Sequence, residues 1–291
     1  MPYDVIADYA NHCGEGPLWH AAEKKLYWCD IPTGRLFRYD PAKKTHEQVY
    51  TDRTVGGFTI QADGSLLLFR DKGNVVTWRD GAVQKTIIDS VPELLDTRFN
   101  DVVAAPDGTV FCGTMSSKTI KGRLHRLHRD GRLEVLLTDQ GTPNGMGFTP
   151  DLSKMYYNDS GKAVTWLFDY DRTTGQLSQQ RVFNDATTSG DPGRPDGLVV
   201  DGKGHVWIAR WEGSCVIEFS PDGKKLREIA IGARNVTSLI FGGDKLDQMF
   251  VTSAGGDKKN DPQHGPTAGA TFLVTGHGTT GQTEFLSRIG L

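Results

Sequence analysis

Four oxygen-bearing side chains stand at one phase of this chain. Glu15, Asn100, Asn144 and Asp196 each lie about 10–11 residues ahead of the second residue of a short hydrophobic stretch. The stretches are KLYWCD (25–30), TVFCGT (109–114), KMYYND (154–159) and HVWIAR (205–210), and SLLLFR (65–70) and QMFVTS (248–253) complete a set of six. Glu15 stands in GEGPLW, Asn144 in PNGMGF and Asp196 in RPDGLV. The glycines and prolines beside them allow close backbone approach and hold a short polar side chain in place. Glu, Asn and Asp form an all-oxygen set with two negative charges. Such a set suits a hard divalent cation, calcium, magnesium or manganese, with water completing the shell. Zinc more often recruits His or Cys, although an oxygen-rich site also admits zinc or iron(II). A lone Asp-Gly or Asn-Gly step is a turn far more often than a ligand. The shared phase is what raises these three above that reading.

Asn100 lies in TRFND, and Arg98 stands two residues before it. In extended chain the two point to the same side. An arginine there can hold a hydroxyl or carboxylate of a ligand, or serve a blade-to-blade salt bridge. His125 and His128 are three apart on an expected strand, so they face opposite sides and are poor candidates for a metal pair. Residues 118–132 hold eight Lys, Arg and His residues and read as a solvated strand face. GxSxG, a glycine-rich phosphate loop and HExxH are all absent.

The elements that must position these residues repeat. The second residues of the six stretches, Leu26, Leu66, Val110, Met155, Val206 and Met249, are about 40 to 51 residues apart. That is the period of a four-stranded propeller blade. Asp-Gly steps recur between short strands, as hairpins require. The expected fold is therefore all-β, one six-bladed β-propeller over residues 1–291. A sandwich of similar strands would not need a six-fold phase. A propeller brings equivalent positions of every blade to one axis, so the four polar residues should meet at one mouth of one channel. The N-terminal strand, residues 3–9, should pair with the last blade and close the ring. That blade is expected to end with strands at 270–274 and 284–287, and residues 91–96 are a candidate for a short helix. Two polar loops, 185–194 and 257–268, break the rhythm, and long loops on a rigid scaffold often carry specificity.

The chain has 291 residues, 37% hydrophobic and 24% charged, with a formal net charge of -3. This charge gives no electrostatic case for nucleic acid or an anionic membrane. Four cysteines without a C-x-x-C pair fit free thiols in a reducing compartment. The N-terminal stretch lacks the basic and apolar regions of a signal peptide, and no apolar run reaches membrane-spanning length. A cytoplasmic protein is expected.

GEGPLW, TRFNDVVAAPDGTVFCGTM, PNGMGF, YYNDS, FDYDRTTGQLSQQRVF, PDGLVVDGKGHVWIA and FGGDKLDQMFVTSA occur in that order over residues 14–254. In these pieces the chain resembles the family of gluconolactonase, regucalcin (senescence marker protein) and the luciferin-regenerating enzymes. The resemblance implies a six-bladed propeller with one divalent metal at its axis. It implies Glu15, Asn144 and Asp196 as metal ligands, Asn100 near or on the metal, and Arg98 and Asn100 as substrate contacts. It also implies Asp196 as a general base. Two departures stand out. Regucalcin-like members follow GTM with a longer acidic loop that adds a glutamate over the site, whereas here Ser116, Ser117 and Lys118 follow directly. ARWEGS (209–214) stands where a Gly-Gly pair is common, so Glu212 brings an extra acidic group to the rim.

The expected reaction is hydrolysis of a sugar lactone to its aldonic acid, with metal polarisation of the carbonyl, an amide contact from Asn100 and orientation of sugar hydroxyls by Arg98. Asp196 as base and a metal-activated water as nucleophile both remain open. A phosphotriester or aryl-ester hydrolase is the alternative enzyme, and it would need an aromatic rim, for which Trp19, Phe58 and Trp211 are the candidates. A non-catalytic propeller that binds a protein on its face is the alternative outside enzymes.

Overall fold

The computed structural model describes residues 1–258 and 261–291. Twenty-four strands form six four-stranded antiparallel sheets. Strand β1 (Tyr3–Asp8) precedes blade one, which is β2 (Gly14–His20), β3 (Lys25–Asp30), β4 (Arg35–Asp40) and β5 (Thr45–Thr51). Blade two is β6 (Val55–Ile60), β7 (Leu66–Arg70), β8 (Val75–Arg79) and β9 (Ala82–Ile88). Blade three is β10 (Phe99–Ala104), β11 (Val110–Thr114), β12 (Gly122–Leu127) and β13 (Leu133–Gln140). Blade four is β14 (Pro143–Phe148), β15 (Lys154–Asp159), β16 (Val164–Asp171) and β17 (Gln176–Asp185). Blade five is β18 (Arg194–Val200), β19 (Val206–Trp211), β20 (Cys215–Phe219) and β21 (Lys225–Ala230). Blade six is β22 (Asn235–Gly242), β23 (Gln248–Ala254), β24 (Ala270–Val274) and, outermost, β1. The expected six-fold repeat and its closure by the N-terminal strand are both present.

The inner strands β2, β6, β10, β14, β18 and β22 touch one another around a closed ring. Each is bulged near its start, where its register with the second strand slips. A bulge twists the strand and re-aims its side chains, and here it turns the first residues of every blade toward the axis. The apolar core is divided accordingly. Six clusters fill the six spaces between neighbouring blades, for example Trp28, Phe37, Ile240 and Phe250 between blades one and six. Alternation on both faces of each strand thus buries two different clusters.

Several expectations need correction. Residues 284–287 are not a strand of the last blade. The tail after β24 turns back across the far end of the channel, where Gly202 N–H donates to Thr280 O and Gln282 Nε2 donates to Val200 O at 3.0 Å. Further on, Ser287 makes a parallel bridge with Gln61, and the Gln61 side chain bonds both the N–H and the carbonyl of Ile289. The tail is polar and glycine-rich, so it cannot continue a hydrophobic ladder but can bond exposed blade ends. Residues 91–96 contain only a three-residue 3-10 turn, Pro92–Leu94. The basic stretch is not a solvated face throughout, since His125 and Arg126 are buried and Arg126 is paired with Asp107. The loop expected at 257–268 includes residues 259 and 260, which lie outside the described ones.

Candidate functional site

Glu15, Asn100, Asn144 and Asp196 line one pocket of about 270 Å³ at one mouth of the channel. All four are at least nine-tenths buried. Each occupies the same place in its blade, one residue after a position paired with the last or, in blade five, the penultimate residue of the second strand. Those pairs are Gly14 with Asp30, Phe99 with Thr114, Pro143 with Asp159 and Pro195 with Arg210. Gly56 and Thr237 hold this place in blades two and six. Thr237 donates to Gly14 O, fastening blade six to blade one. The glycines that follow two of the site residues serve contact rather than turning. A Cβ on Gly145 would lie 2.2 Å from Leu198 N, and one on Gly197 would lie 2.1 Å from Ser238 Oγ. Neighbouring inner strands can approach this closely only without a side chain there.

Arg98 and Asn100 meet as the alternation predicts. Arg98 Nη1 donates to Asn100 Oδ1 at 2.7 Å and to Phe99 O at 2.8 Å. Asn100 Nδ2 in turn donates to Pro143 O at 2.7 Å and to Asn144 Oδ1 at 3.1 Å. Asn100 is therefore a clamp between blades three and four. Both its amide hydrogens are engaged, and a contact from it to a ligand requires one of those bonds to be exchanged.

The second strands also reach back to hold the axial loops. Asp30 Oδ1 accepts from Cys13 N at 2.9 Å, and Asp159 Oδ1 accepts from Thr142 N at 2.9 Å. In blade five the equivalent residue is Arg210, which donates to Pro192 O and Gly193 O at 2.8 and 3.0 Å. Opposite charges thus perform one task, because one grips N–H groups and the other carbonyls. Ser160 completes the frame. Asn144 Nδ2 donates to its Oγ at 2.9 Å, and Ser160 donates to Pro195 O at 2.5 Å.

The electrostatics explain what the pocket lacks. Burial, followed by the charges of Asp196 and Asp101, pushes the Glu15 carboxyl well above its ordinary range. Burial and Asp101 do the same to Asp196. Burial raises Asp101 to about 7, with Arg98 opposing the shift. Several carboxyls share a dry space, and Arg98 supplies only part of the countercharge. A divalent cation would relieve that repulsion and accept the oxygen donors present, so the donor set fits such an ion.

Other clusters do not compete. Asp201, His205 and Glu218 bring three ligand atoms within 4.8 Å of one another. Their oxygens are already used: Asp201 Oδ2 accepts from Trp207 and Thr279, and Glu218 accepts from His205 and Arg227. His125 bonds Thr114 and His128 bonds Glu134, so the two histidines do not converge. A larger cavity of about 550 Å³ opens at the opposite face, beside the tail, but it contains none of the four axial residues.

Of the proposed rim aromatics only Trp211 lines the pocket. Trp19 stacks on Phe250 and borders the opposite cavity, and Phe58 is buried in the channel wall. Glu212 does reach the rim, where Arg234 pairs with it at 3.3 Å. Sequence reasoning missed Asp101, Ser160, Cys13, Thr142 and Arg194. The last three each stand two residues before an axial residue, as Arg98 does, so the repeat itself carried a usable signal for them.

The SMP-30/Gluconolactonase/LRE-like family matches residues 13–255. The chain belongs to this family. It is 44% identical to Pentonolactonase XacC of Haloferax volcanii over 100% of both chains. Its fold matches a luciferin-regenerating enzyme with a TM-score of 0.89 and 29% identity, covering 99% of each chain. It also matches a calcium-binding regucalcin of Agrobacterium tumefaciens with a TM-score of 0.87 and 25% identity, covering 98% and 97%. The loop after Met115 is short and carries no acidic residue up to Lys121.

Proposed function

We propose that this chain hydrolyses sugar lactones to aldonic acids with one divalent cation held by Glu15, Asn144 and Asp196. The observation that carries this reading is the convergence of those buried oxygens, with Arg98, in one pocket. The similarity to a pentonolactonase over the whole chain favours an aldonolactone, with five-carbon lactones the first to try. The pairing of oxygen ligands favours calcium, magnesium or manganese over zinc or iron(II). A cytoplasmic location fits the four free thiols.

When bound, the cation would act as a Lewis acid toward the lactone carbonyl. The remaining work falls to the chain. Arg98 has Nε and Nη2 available to hold sugar hydroxyls, because among the described residues its side-chain hydrogen bonds run through Nη1 alone. Asn100 keeps Arg98 and Asn144 in register. Asp196 orients the attacking water and accepts its proton. The new bond joins the water oxygen to the carbonyl carbon, the ring carbon–oxygen bond breaks, and the ring oxygen leaves with a proton as a hydroxyl. Trp211 offers an apolar wall for the sugar ring, and the pocket otherwise lacks the aromatic lining that a phosphotriester hydrolase would use.

The test is acid release from a panel of pentono- and hexonolactones, with a no-enzyme control. Metal-stripped protein should be inactive and should recover with one cation from calcium, magnesium, manganese, zinc and iron(II). No acceleration with any lactone and any of these ions would sink the proposal.

A further inference from the structure

The axial residues have a second tier above them. Cys13, Arg98, Thr142 and Arg194 each stand two residues before Glu15, Asn100, Asn144 and Asp196, and all four line the same pocket. Two residues of strand span about 7 Å, so this tier lies toward the mouth. It contains two guanidiniums, from blades three and five, on either side of Thr142 in blade four.

The side chain of Arg194 is not engaged by the fold. Among the described residues it makes no side-chain hydrogen bond and no ion pair, and it is exposed at the pocket wall. The other arginines of blade five differ. Arg210 holds the preceding loop, and Arg227 is paired with Glu218. The one rim carboxylate, Glu212, is already paired with Arg234 at 3.3 Å. A divalent cation would offset Glu15 and Asp196 and leave Asp101 facing Arg98, so the charge of Arg194 is the one without a counterpart. A neutral sugar lactone offers nothing to match it.

We infer that Arg194, facing Arg98 across Thr142, anchors an acid group on the ligand. The pocket therefore takes lactones that carry a second acidic group away from the carbonyl, a carboxylate or another planar or tetrahedral oxyanion. Guanidinium is suited to this task because its fork matches such oxyanions and it remains charged. This inference rests on the lactonase reading for its substrate class, but the anchor itself can be measured without turnover.

Titration calorimetry on the metal-loaded protein would compare two open-chain acids of equal length, glucarate with two carboxylates and gluconate with one. The wild type should prefer glucarate by about 10- to 100-fold, the range of one charge-assisted hydrogen-bonded contact. Arg194→Gln should erase that preference and Arg194→Lys should retain part of it. Higher salt should shrink it, because the rim is open to solvent. In turnover, the ratio of kcat/KM on glucaro-1,4-lactone to kcat/KM on a pentonolactone should fall by the same factor in Arg194→Gln. Equal affinities in the wild type, or a preference unchanged in Arg194→Gln, would overturn the anchor whatever the lactone assays give. A preference lost in Arg194→Gln together with no opening of any lactone would uphold the anchor and reject the proposed reaction.

Discussion

Ser160 is the smallest side chain in the frame of the pocket, and it joins two blades. It accepts from Asn144 and donates to Pro195 O, so it fixes an amide of blade four against the loop that carries Asp196. Outer residues that orient a metal ligand typically affect metal affinity by about 10–100-fold. Ser160→Ala should therefore weaken cation binding by about that factor while leaving the fold intact, as read by calorimetry and circular dichroism. Unchanged affinity would mean that Asn144 is not a ligand. Asp196→Asn removes a carboxylate from the same cluster and should abolish turnover. A variant that kept both metal occupancy and full rate would rule Asp196 out as the base. At this scale the sequence was informative where a residue obeyed the repeat. Glu15, Asn144 and Asp196 could be read from their common phase, and Arg98 from simple alternation with Asn100. Asp101 could not, because the bulge at the start of β10 lets two consecutive residues serve the axis, one in the pocket and one in the channel behind it. Alternation fails wherever a bulge intervenes.

Among the elements, the C-terminal tail departs most from expectation. Residues 284–287 read as a last strand, yet the tail spans the channel floor through backbone and side-chain bonds that no local pattern encodes. Gln61 alone exchanges two hydrogen bonds with Ile289, at 3.0 and 2.8 Å. Gln61→Ala should destabilise the protein by about 1–3 kcal/mol, measured by denaturant unfolding, with no change in cation affinity at the other mouth. The tail also places Glu284 between the channel and the opposite cavity, where burial pushes its carboxyl up to about 7. The titratable groups around these spaces are Asp101 on the channel side and His20, Asp63 and Asp244 on the other, and no lysine or arginine lines either. A raised carboxyl binds its proton more tightly in the fold than in the unfolded chain. Its contribution is complete below the ordinary glutamate range and is lost as pH rises through about 7. Glu284→Gln should match the wild type near pH 4 and exceed its stability at pH 8 by about 1–3 kcal/mol. Parallel stability–pH curves for the two proteins would refute this.

For the whole molecule, the period of the marker strands was enough to predict six blades and the closure. Blade spacing depends on strand length and turn chemistry, both of which are local. The division of the core into six inter-blade clusters makes each blade depend on its two neighbours. Strand β1 completes blade six through pairs from Tyr3 with Val274 to Asp8 with Ala270. Deleting residues 2–9 should expose the β24 edge, lower the melting temperature and promote self-association, detectable by size-exclusion chromatography. A monomeric deletion variant with unchanged melting would show that the closing strand is dispensable.

The seam of this ring has a consequence for the chemistry. The short segment that leaves β1 runs directly into Glu15, and Thr237 of blade six bonds the carbonyl of Gly14 just before it. One side of the pocket is therefore built from the latch. Any opening of the latch, even a brief one, loosens the segment that leads into Glu15 and so loosens one side of the cluster, without disturbing blades two to five. Metal occupancy should then act as a clasp. Amide hydrogens of β1 and β24 would exchange more slowly in the cation-loaded protein, while those of blade three would be indifferent.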